Sequence, residues 1–395
     1  MQLRRLGRYD ALILTSLIWF MAKFLRYAFP PLFGTFQELY GVSNATIGAA
    51  FSALMVAYAL MQFPSGVLAD RRGPVPIITA GAVVTGIGAL VLLVAEPFPL
   101  LVGGMLLVGL GTGAHKTVAV RLLTMVHPSR TGRALGTLDT IAAFGGVAAP
   151  AAVVYALPDW RGLFLAGGLV VLTLAALFAI RTPRRLPKDG GITTQKDDDG
   201  VALAAYARSL SQPRVALFVA VTVAVSFGYN GAVAFLPLYL TDAAGLSTAA
   251  ASALYSGLFV VSLVQLGTGE LADRAGRIPV LLATVGAAAI GVALLQVVAG
   301  ALAVGAAVIL FGIGGHGYRP ARSAFLMSIL PDEAAGGGLG VVRTVLMSSA
   351  AVAPAVTGYL IDARSFAFAF AALAASLALA FVLLVVVAIT GEAGE

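Results

Sequence analysis

The stretch Gly66-Val-Leu-Ala-Asp-Arg-Arg-Gly73 decides the fold, because it occurs twice and each copy lies between two long apolar segments. The second copy reads Gly269-Glu-Leu-Ala-Asp-Arg-Ala-Gly-Arg277. Its two glycines and its Leu-Ala-Asp-Arg core follow the first copy at an offset of 203 residues, about half of the 395-residue chain. Pro128 and Pro331 share this offset. The spacing predicts a duplicated unit.

The composition predicts an integral membrane protein, because 59% of the residues are hydrophobic and only 11% are charged. A chain without cysteine also excludes disulfides, thiolate metal sites and cysteine nucleophiles. Twelve apolar segments are long enough to cross a bilayer. Their predicted limits are 10–36, 44–68, 75–95, 99–126, 134–157, 162–181, 213–241, 247–271, 278–299, 302–330, 337–360 and 366–390.

These segments predict an all-α membrane protein of twelve transmembrane helices in two pseudosymmetric six-helix bundles. The bundles are residues 1–182 and 213–395, joined by a polar cytoplasmic linker, 183–212, in which 201–210 is a candidate surface helix. Sixteen Lys and Arg residues fall in loops on the side of the amino terminus, whereas only Arg161 and Arg364 fall on the other. The positive-inside rule therefore predicts that both termini are cytoplasmic.

The repeated stretch resembles the signature loop of the major facilitator superfamily, which joins the second and third helices of each half. Pro74 stands where the family usually has an Arg, whereas Arg277 keeps that Arg in the second copy. The resemblance covers nearly the whole chain and implies a secondary transporter whose loops latch the two halves together on the cytoplasmic side. The gating residues it implies are Gly66, Asp70, Arg71, Gly73, Gly269, Asp273, Arg274, Gly276 and Arg277.

Each loop Asp lies at the C-terminal end of a helix, where the helix dipole prefers cations, so it needs an Arg or another helix N-terminus nearby. The glycine four residues earlier is expected to let a neighbouring helix approach closely. The alternative is a basic turn that only sets topology. The run Gly109-Leu-Gly-Thr-Gly113 likewise predicts either a cavity-lining helix or close helix packing.

Cations within apolar segments point to a binding site, because each costs roughly 2.5–3.5 kcal/mol near the middle of a bilayer. In the family the first, fourth and tenth helices face the central cavity, and here they carry cations that few carboxylates balance. The predicted substrate-binding residues are Lys23, Arg26, Lys116, Arg319, Tyr229 and Asn230. The alternatives are that Lys116, Arg121 and Arg322 reach the membrane edge, and that Arg121 pairs with Asp139.

The candidates for proton coupling are His115, His316 and Asp139, since histidine titrates near neutrality. The alternative for each histidine is a packed, hydrogen-bonded ring. We predict no metal site and no cofactor, because the chain has three histidines and lacks both the H-E-x-x-H and the P-loop patterns. These absences also argue against an enzyme and against an ATP-driven pump.

The first segment is similar to that of the organic-anion branch, which has an Arg near the position of Arg26. That branch also places a basic residue on the seventh helix, where this chain reads Phe227-Gly-Tyr-Asn230. We predict a transporter of a small organic anion, a carboxylate or a phosphate-bearing metabolite, driven by proton coupling or exchange. Alternatives are a drug or multidrug proton antiporter, whose motif is partly matched by Gly136, Gly145 and Pro150, and a membrane substrate sensor.

The expected partners are the lipid bilayer, a small-molecule substrate and a coupling proton, with no nucleic acid. The net charge of +7 is accounted for by the cytoplasmic loops. We expect a monomer in the plasma membrane of a prokaryote.

Overall fold

The structure, a computed structural model, describes residues 9–157, 159–185, 212–329 and 335–392. The predicted surface helix 201–210 and the basic residues Arg4, Arg5 and Arg8 lie outside these ranges. The described residues form fifteen α-helices. They are α1 Asp10–Tyr27, α2 Phe33–Tyr40, α3 Asn44–Arg72, α4 Pro74–Val91, α5 Phe98–Gly113, α6 Lys116–Val126, α7 Thr131–Ala156, α8 Trp160–Arg181, α9 Pro213–Leu238, α10 Thr248–Val260, α11 Gln265–Ala275, α12 Arg277–Leu294, α13 Ala301–Ile329, α14 Ala335–Ala363 and α15 Phe366–Glu392.

These helices make twelve spans in the described residues that are long and apolar enough to cross a membrane. The prediction of an all-α, twelve-span membrane fold is therefore confirmed. Three spans are interrupted. In the first, Pro30–Leu32 forms a 3-10 turn between α1 and α2. In the fourth, α5 ends at Gly113 and α6 begins at Lys116. In the eighth, the 3-10 turn Val261–Val264 separates α10 from α11.

The chain divides into two compact units. Unit 1 comprises residues 1–42 and 50–194, and unit 2 comprises residues 43–49 and 195–395. The change from one unit to the other near residue 194 falls inside the predicted linker, of which 186–211 lie outside the described ranges. The first turns of α3, residues 44–49, belong to unit 2, whereas the rest of that helix belongs to unit 1.

Three glycines of α5, Gly109, Gly111 and Gly113, serve close packing within unit 1. A Cβ added at Gly109 or Gly113 would collide with the carbonyl oxygen of Leu54 or Tyr58 on α3. On another face of α5, a Cβ at Gly111 would collide with α4 at Thr85. Backbones can approach this closely only where side chains are absent. The packing interpretation of the Gly109–Gly113 run is confirmed.

The same packing recurs in unit 2 at the repeat offset. A Cβ at Gly314 on α13 would collide with α12 at Thr284 and Ala288. Gly314 lies 203 residues after Gly111, and Ala288 lies 203 residues after Thr85. The internal repeat therefore includes the contact by which the third and fourth spans of each half cross.

The closing glycine of each signature loop makes a turn that other residues rarely adopt. Gly73 has φ 84° and ψ 161° and precedes α4, and Gly276 has φ 91° and ψ 150° and precedes α12. This backbone conformation is accessible essentially to glycine alone. The first glycine of each loop behaves differently. A Cβ at Gly66 or Gly269 would make only ordinary contacts, at 3.7 Å and 3.6 Å, so the predicted close approach at these two positions is wrong.

The start of α3 is held within unit 2 by a carboxylate from the end of α14. Asp362 accepts hydrogen bonds from the backbone N–H of Asn44 (3.1 Å) and of Ala45 (2.7 Å) and from the Asn44 side chain (2.8 Å). These backbone donors belong to the first turn of α3, where a helix has no internal acceptors for them. A Cβ at Gly358 would collide with the Asn44 carbonyl oxygen, so the two helices touch backbone to backbone here.

Candidate functional site

Arg26 lies in the last turn of α1, and its side chain is surrounded by aromatic rings of unit 1. The guanidinium carbon is 4.4 Å from the ring centre of Tyr58, 5.5 Å from that of Tyr27 and 5.9 Å from that of Trp19. Arg26 is only 5% exposed, and its buried Nε has no hydrogen-bond partner. Among the described residues, no carboxylate pairs with it. The site therefore holds a buried positive charge through ring faces, which attract cations.

Trp19 is the centre of this cluster, because Lys23 and His115 also contact it. The Lys23 ammonium is 5.9 Å from the Trp19 ring centre. The His115 ring stacks on Trp19 with 5.5 Å between the ring centres and 12° between the planes. His115 Nε2 lies 3.3 Å from the Thr15 hydroxyl. The ring therefore sits against α1 from the interruption between α5 and α6, and it is 2% exposed.

A second cluster lies in unit 2 around Tyr229 of α9. Its hydroxyl is 3.0 Å from Nε2 of His316, and the guanidinium carbon of Arg319 is 5.3 Å from its ring centre. A Cβ at Gly315 would collide with the Tyr229 ring, so that glycine makes room for it. Each predicted histidine thus meets a hydroxyl of a first or seventh span, as the hydrogen-bonded alternative for these histidines predicts.

Asn230 is turned toward its own helix. Its side-chain amide donates a 2.8 Å hydrogen bond to the Ser226 carbonyl oxygen, one turn earlier in α9. The amide nitrogen of Asn230 is therefore engaged by the backbone in this structure.

Two ion pairs within unit 1 involve candidate residues of the sequence analysis. Lys116 pairs with Asp139, and Arg121 pairs with Asp70 of the first signature loop. The predicted alternative of an Arg121–Asp139 pair is therefore wrong. Asp139 lies beside Lys116 instead. Arg121 supplies the cation that Asp70 requires, because Asp70 lies at a helix C-terminus, where the helix dipole disfavours a negative charge.

The second signature loop differs from the first in its ion pair. Arg274 pairs with Glu270 of the same helix at 2.5 Å. Asp273 is exposed and makes no ion pair within the described part of the chain. It lines a surface hollow of about 460 Å³ together with Arg277 and Phe325. The sequence explains this difference between the two loops. Arg121 is the partner of Asp70, and the position 203 residues after Arg121 is Ala324, which has no charge.

Within each unit, the structure brings together some of the predicted substrate residues and gives others a different partner. Lys23 and Arg26 share one cluster, Tyr229 and Arg319 share another, and Lys116 is paired with Asp139. Prediction from sequence missed Trp19, Tyr27 and Tyr58. Trp19 could have been found, since it lies four residues before Lys23 and seven before Arg26 on one helix face. Tyr58 lies on another helix, and no spacing indicates its contact with Arg26.

A family model of the Major Facilitator Superfamily matches residues 15–304 and 256–394 of this chain. Among solved structures, the chain is similar to a bacterial homologue of the human lysosomal transporter Spinster in an inward-facing, unoccupied conformation. The TM-score is 0.75 at 17% identity, and the match covers 97% of this chain and 96% of the other. At this identity the likeness shows the fold alone.

Similar curated proteins differ in what their names say they carry. One is the probable sulfoacetate transporter SauU of Cupriavidus necator, 28% identical over 163 residues, 40% of this chain and 38% of that protein. Another is the sugar transporter ERD6-like 8 of Arabidopsis thaliana, 29% identical over 289 residues, 65% of this chain and 61% of that protein. A third is the 4-hydroxybenzoate transporter PcaK of Pseudomonas aeruginosa, 30% identical over 149 residues, 36% of this chain and 33% of that protein. Each match spans less than two thirds of the relative's own length.

Proposed function

This chain belongs to the major facilitator superfamily, and on that premise we propose that it is a secondary transporter of a small organic anion, a carboxylate or a phosphate-bearing metabolite. The observation that carries the proposal is Arg26, a buried guanidinium in an apolar span with no carboxylate partner among the described residues. A buried charge without a counter-ion is costly. An anionic substrate supplies that counter-ion, whereas a cationic drug would be repelled.

The proposal assigns the other predicted residues by their contacts. Lys23 adds a second cation at Trp19, and Arg319 with Tyr229 forms a separate candidate contact in unit 2. Lys116 is assigned to its ion pair with Asp139 and not to the substrate. Two of the three relatives described above are named for organic anions, sulfoacetate and 4-hydroxybenzoate, which supports the choice of an anion over a sugar.

Energy is proposed to come from a proton gradient or from exchange. His115 and His316 are buried and each is within hydrogen-bond distance of a hydroxyl, and Asp139 is exposed beside Lys116. A proton on any of these groups changes the charge near a candidate cation. Uptake driven by an imposed pH gradient supports coupling, whereas uptake that needs an internal anion supports exchange.

The signature loops are proposed to gate the cytoplasmic side. In the first loop, Asp70 and Arg121 tie α3 to α6, and Arg71 is exposed. In the second loop, Asp273 is exposed and is available for a partner in another state of the cycle. The proposed setting is the plasma membrane of a prokaryote, with a monomeric transporter and both termini in the cytoplasm.

The experiment that tests the proposal is uptake into proteoliposomes of sulfoacetate, 4-hydroxybenzoate, glucose and the cation tetraphenylphosphonium. We expect uptake of an anion and of neither other probe. The change Arg26→Ala is expected to lower anion uptake at least about thirtyfold, since it removes a buried charge contact. Arg161→Ala is the matched control, because Arg161 also stacks on a tryptophan, Trp160, at 4.7 Å but lies at the end of a span.

Three results contradict the proposal. Transport of tetraphenylphosphonium alone supports a drug exporter, and binding of an anion without uptake supports a sensor. Anion uptake by Arg26→Ala at the parent rate removes Arg26 from the site.

A further inference from the structure

Tyr58 is the nearest ring to the Arg26 guanidinium, at 4.4 Å from ring centre to guanidinium carbon. It comes from α3, whereas Arg26 comes from α1, so the contact joins two spans of unit 1. Tyr58 is itself buried, at 6% exposure. At this distance the ring face contacts the guanidinium directly and attracts its charge.

The backbone that carries Tyr58 is held in place by α5. Gly113 is so close to the Tyr58 carbonyl oxygen that a Cβ would collide with it, and Gly109 meets the Leu54 carbonyl in the same way one turn earlier. Two backbone contacts a turn apart set the position of α3 against α5. The backbone from which the Tyr58 ring projects is therefore packed directly against α5.

An aromatic ring and a carboxylate differ in what they leave available on the guanidinium that they hold. A carboxylate would occupy the N–H donors of the guanidinium and cancel its charge. A ring attracts the charge through its face and accepts no conventional hydrogen bond from the N–H donors, so these donors are left for another acceptor. The buried Nε of Arg26, which has no partner, is consistent with such an open donor edge.

We propose that Tyr58 is a positioning residue of the anion site, which holds the guanidinium of Arg26 so that its donor edge meets a carboxylate of the substrate. This inference rests on the proposed function of Arg26. Since the planar fork of Arg matches a carboxylate with two parallel hydrogen bonds, a guanidinium held in place by a ring favours carboxylates over neutral ligands.

The test uses the full chain in lipid nanodiscs and proteoliposomes, with Trp160→Phe as the parent. The sequence has two tryptophans, so Trp19 is then the only one and its emission reports on the charge beside it. Three variants are compared. Tyr58→Met removes the ring but keeps an apolar side chain, Tyr58→Phe keeps the ring, and Tyr155→Leu alters an exposed tyrosine of unit 1 (90% exposed) as the matched control.

We expect Tyr58→Met to raise the half-saturating concentration for 4-hydroxybenzoate or sulfoacetate uptake about tenfold, while the maximal rate stays at the parent value. Without any ligand, this variant should also shift the Trp19 emission, because Arg26 is no longer held beside the ring. Tyr58→Phe should restore both values, since the ring face and not the hydroxyl does the holding.

The outcomes separate this inference from the function it rests on. If Arg26→Ala abolishes uptake but Tyr58→Met behaves like Tyr155→Leu in both measurements, the positioning role is wrong and the anion site stands. If Arg26→Ala transports the anion normally, the anion site proposed at Arg26 fails, and the ligand-free Trp19 emission still decides whether Tyr58 holds Arg26. If Tyr58→Phe fails to restore uptake, the hydroxyl matters and the inference is overturned.

Discussion

At the scale of single residues, the two glycines of each signature loop have different structural roles. Gly73 and Gly276 adopt positive φ, which their place between two helices requires. Gly66 and Gly269 lie within helices and have room for a methyl group. Glycines of one repeated motif therefore have different structural roles, and the backbone φ angle shows at which positions glycine is required.

The first prediction at this scale concerns Gly73. The change Gly73→Ala forces an L-residue into a conformation that costs about 1–3 kcal/mol, and we expect the free energy of unfolding to fall by that amount. Denaturant unfolding in micelles measures it. Gly136→Ala is the control, because a Cβ there meets nothing within 4 Å and the site is helical. It should be neutral or slightly stabilising, and equal losses in both variants would contradict the argument.

Arg26 shows how a residue acquires its role from neighbours remote in sequence. Its place in an apolar segment is visible in the sequence and makes it a candidate. Its burial, its contact with the Tyr58 ring and the absence of a carboxylate among its described contacts distinguish it from Lys116, which is also a candidate from the sequence but is paired with Asp139. Which carboxylate reaches which cation depends on helix packing.

At the scale of helices, the amino-terminal end of α3 is capped by a residue more than three hundred positions away. Ser43 offers a local cap, with its hydroxyl 3.3 Å from the backbone nitrogen of Thr46. Asp362 supplies acceptors for the two donors before it. Within the described ranges, the equivalent helix α10 has the local cap alone, in which the Ser247 hydroxyl accepts from the backbone N–H of Ala250. The two halves therefore differ at this point although their sequences are related.

The prediction at this scale is that Asp362→Ala lowers the free energy of unfolding by about 1 kcal/mol, the usual loss for a helix cap. Thermal unfolding in detergent is the measurement. Asp159→Ala is the matched control, since Asp159 lies 203 residues before Asp362 and makes no side-chain hydrogen bond to the start of α8. A melting temperature of Asp362→Ala equal to that of the control would show that the cap contributes nothing.

At the scale of the whole molecule, topology follows from charge and can be tested directly. The chain has no cysteine, so a single introduced cysteine labels without background. In intact cells, a membrane-impermeant maleimide should label Arg364→Cys. It should label Arg130→Cys only after the membrane is opened, because the positive-inside rule places Arg130 in the cytoplasm. Labelling of Arg130→Cys in intact cells would reverse the proposed orientation.

The sequence by itself determined the twelve spans, their repeat at an offset of 203 residues and the family, because hydrophobic length and a motif occurring twice are local signals that burial in a bilayer makes strong. It also marked Arg26 and Lys23 as cations in an apolar span. Only the tertiary structure decided that Arg121 meets Asp70, that Lys116 meets Asp139 and that Tyr58 meets Arg26. The physical reason is that each pair joins two helices, and the rotation and crossing angle of those helices determine which side chains meet. Packing over whole helix faces sets these angles, and a short-range sequence pattern does not indicate them.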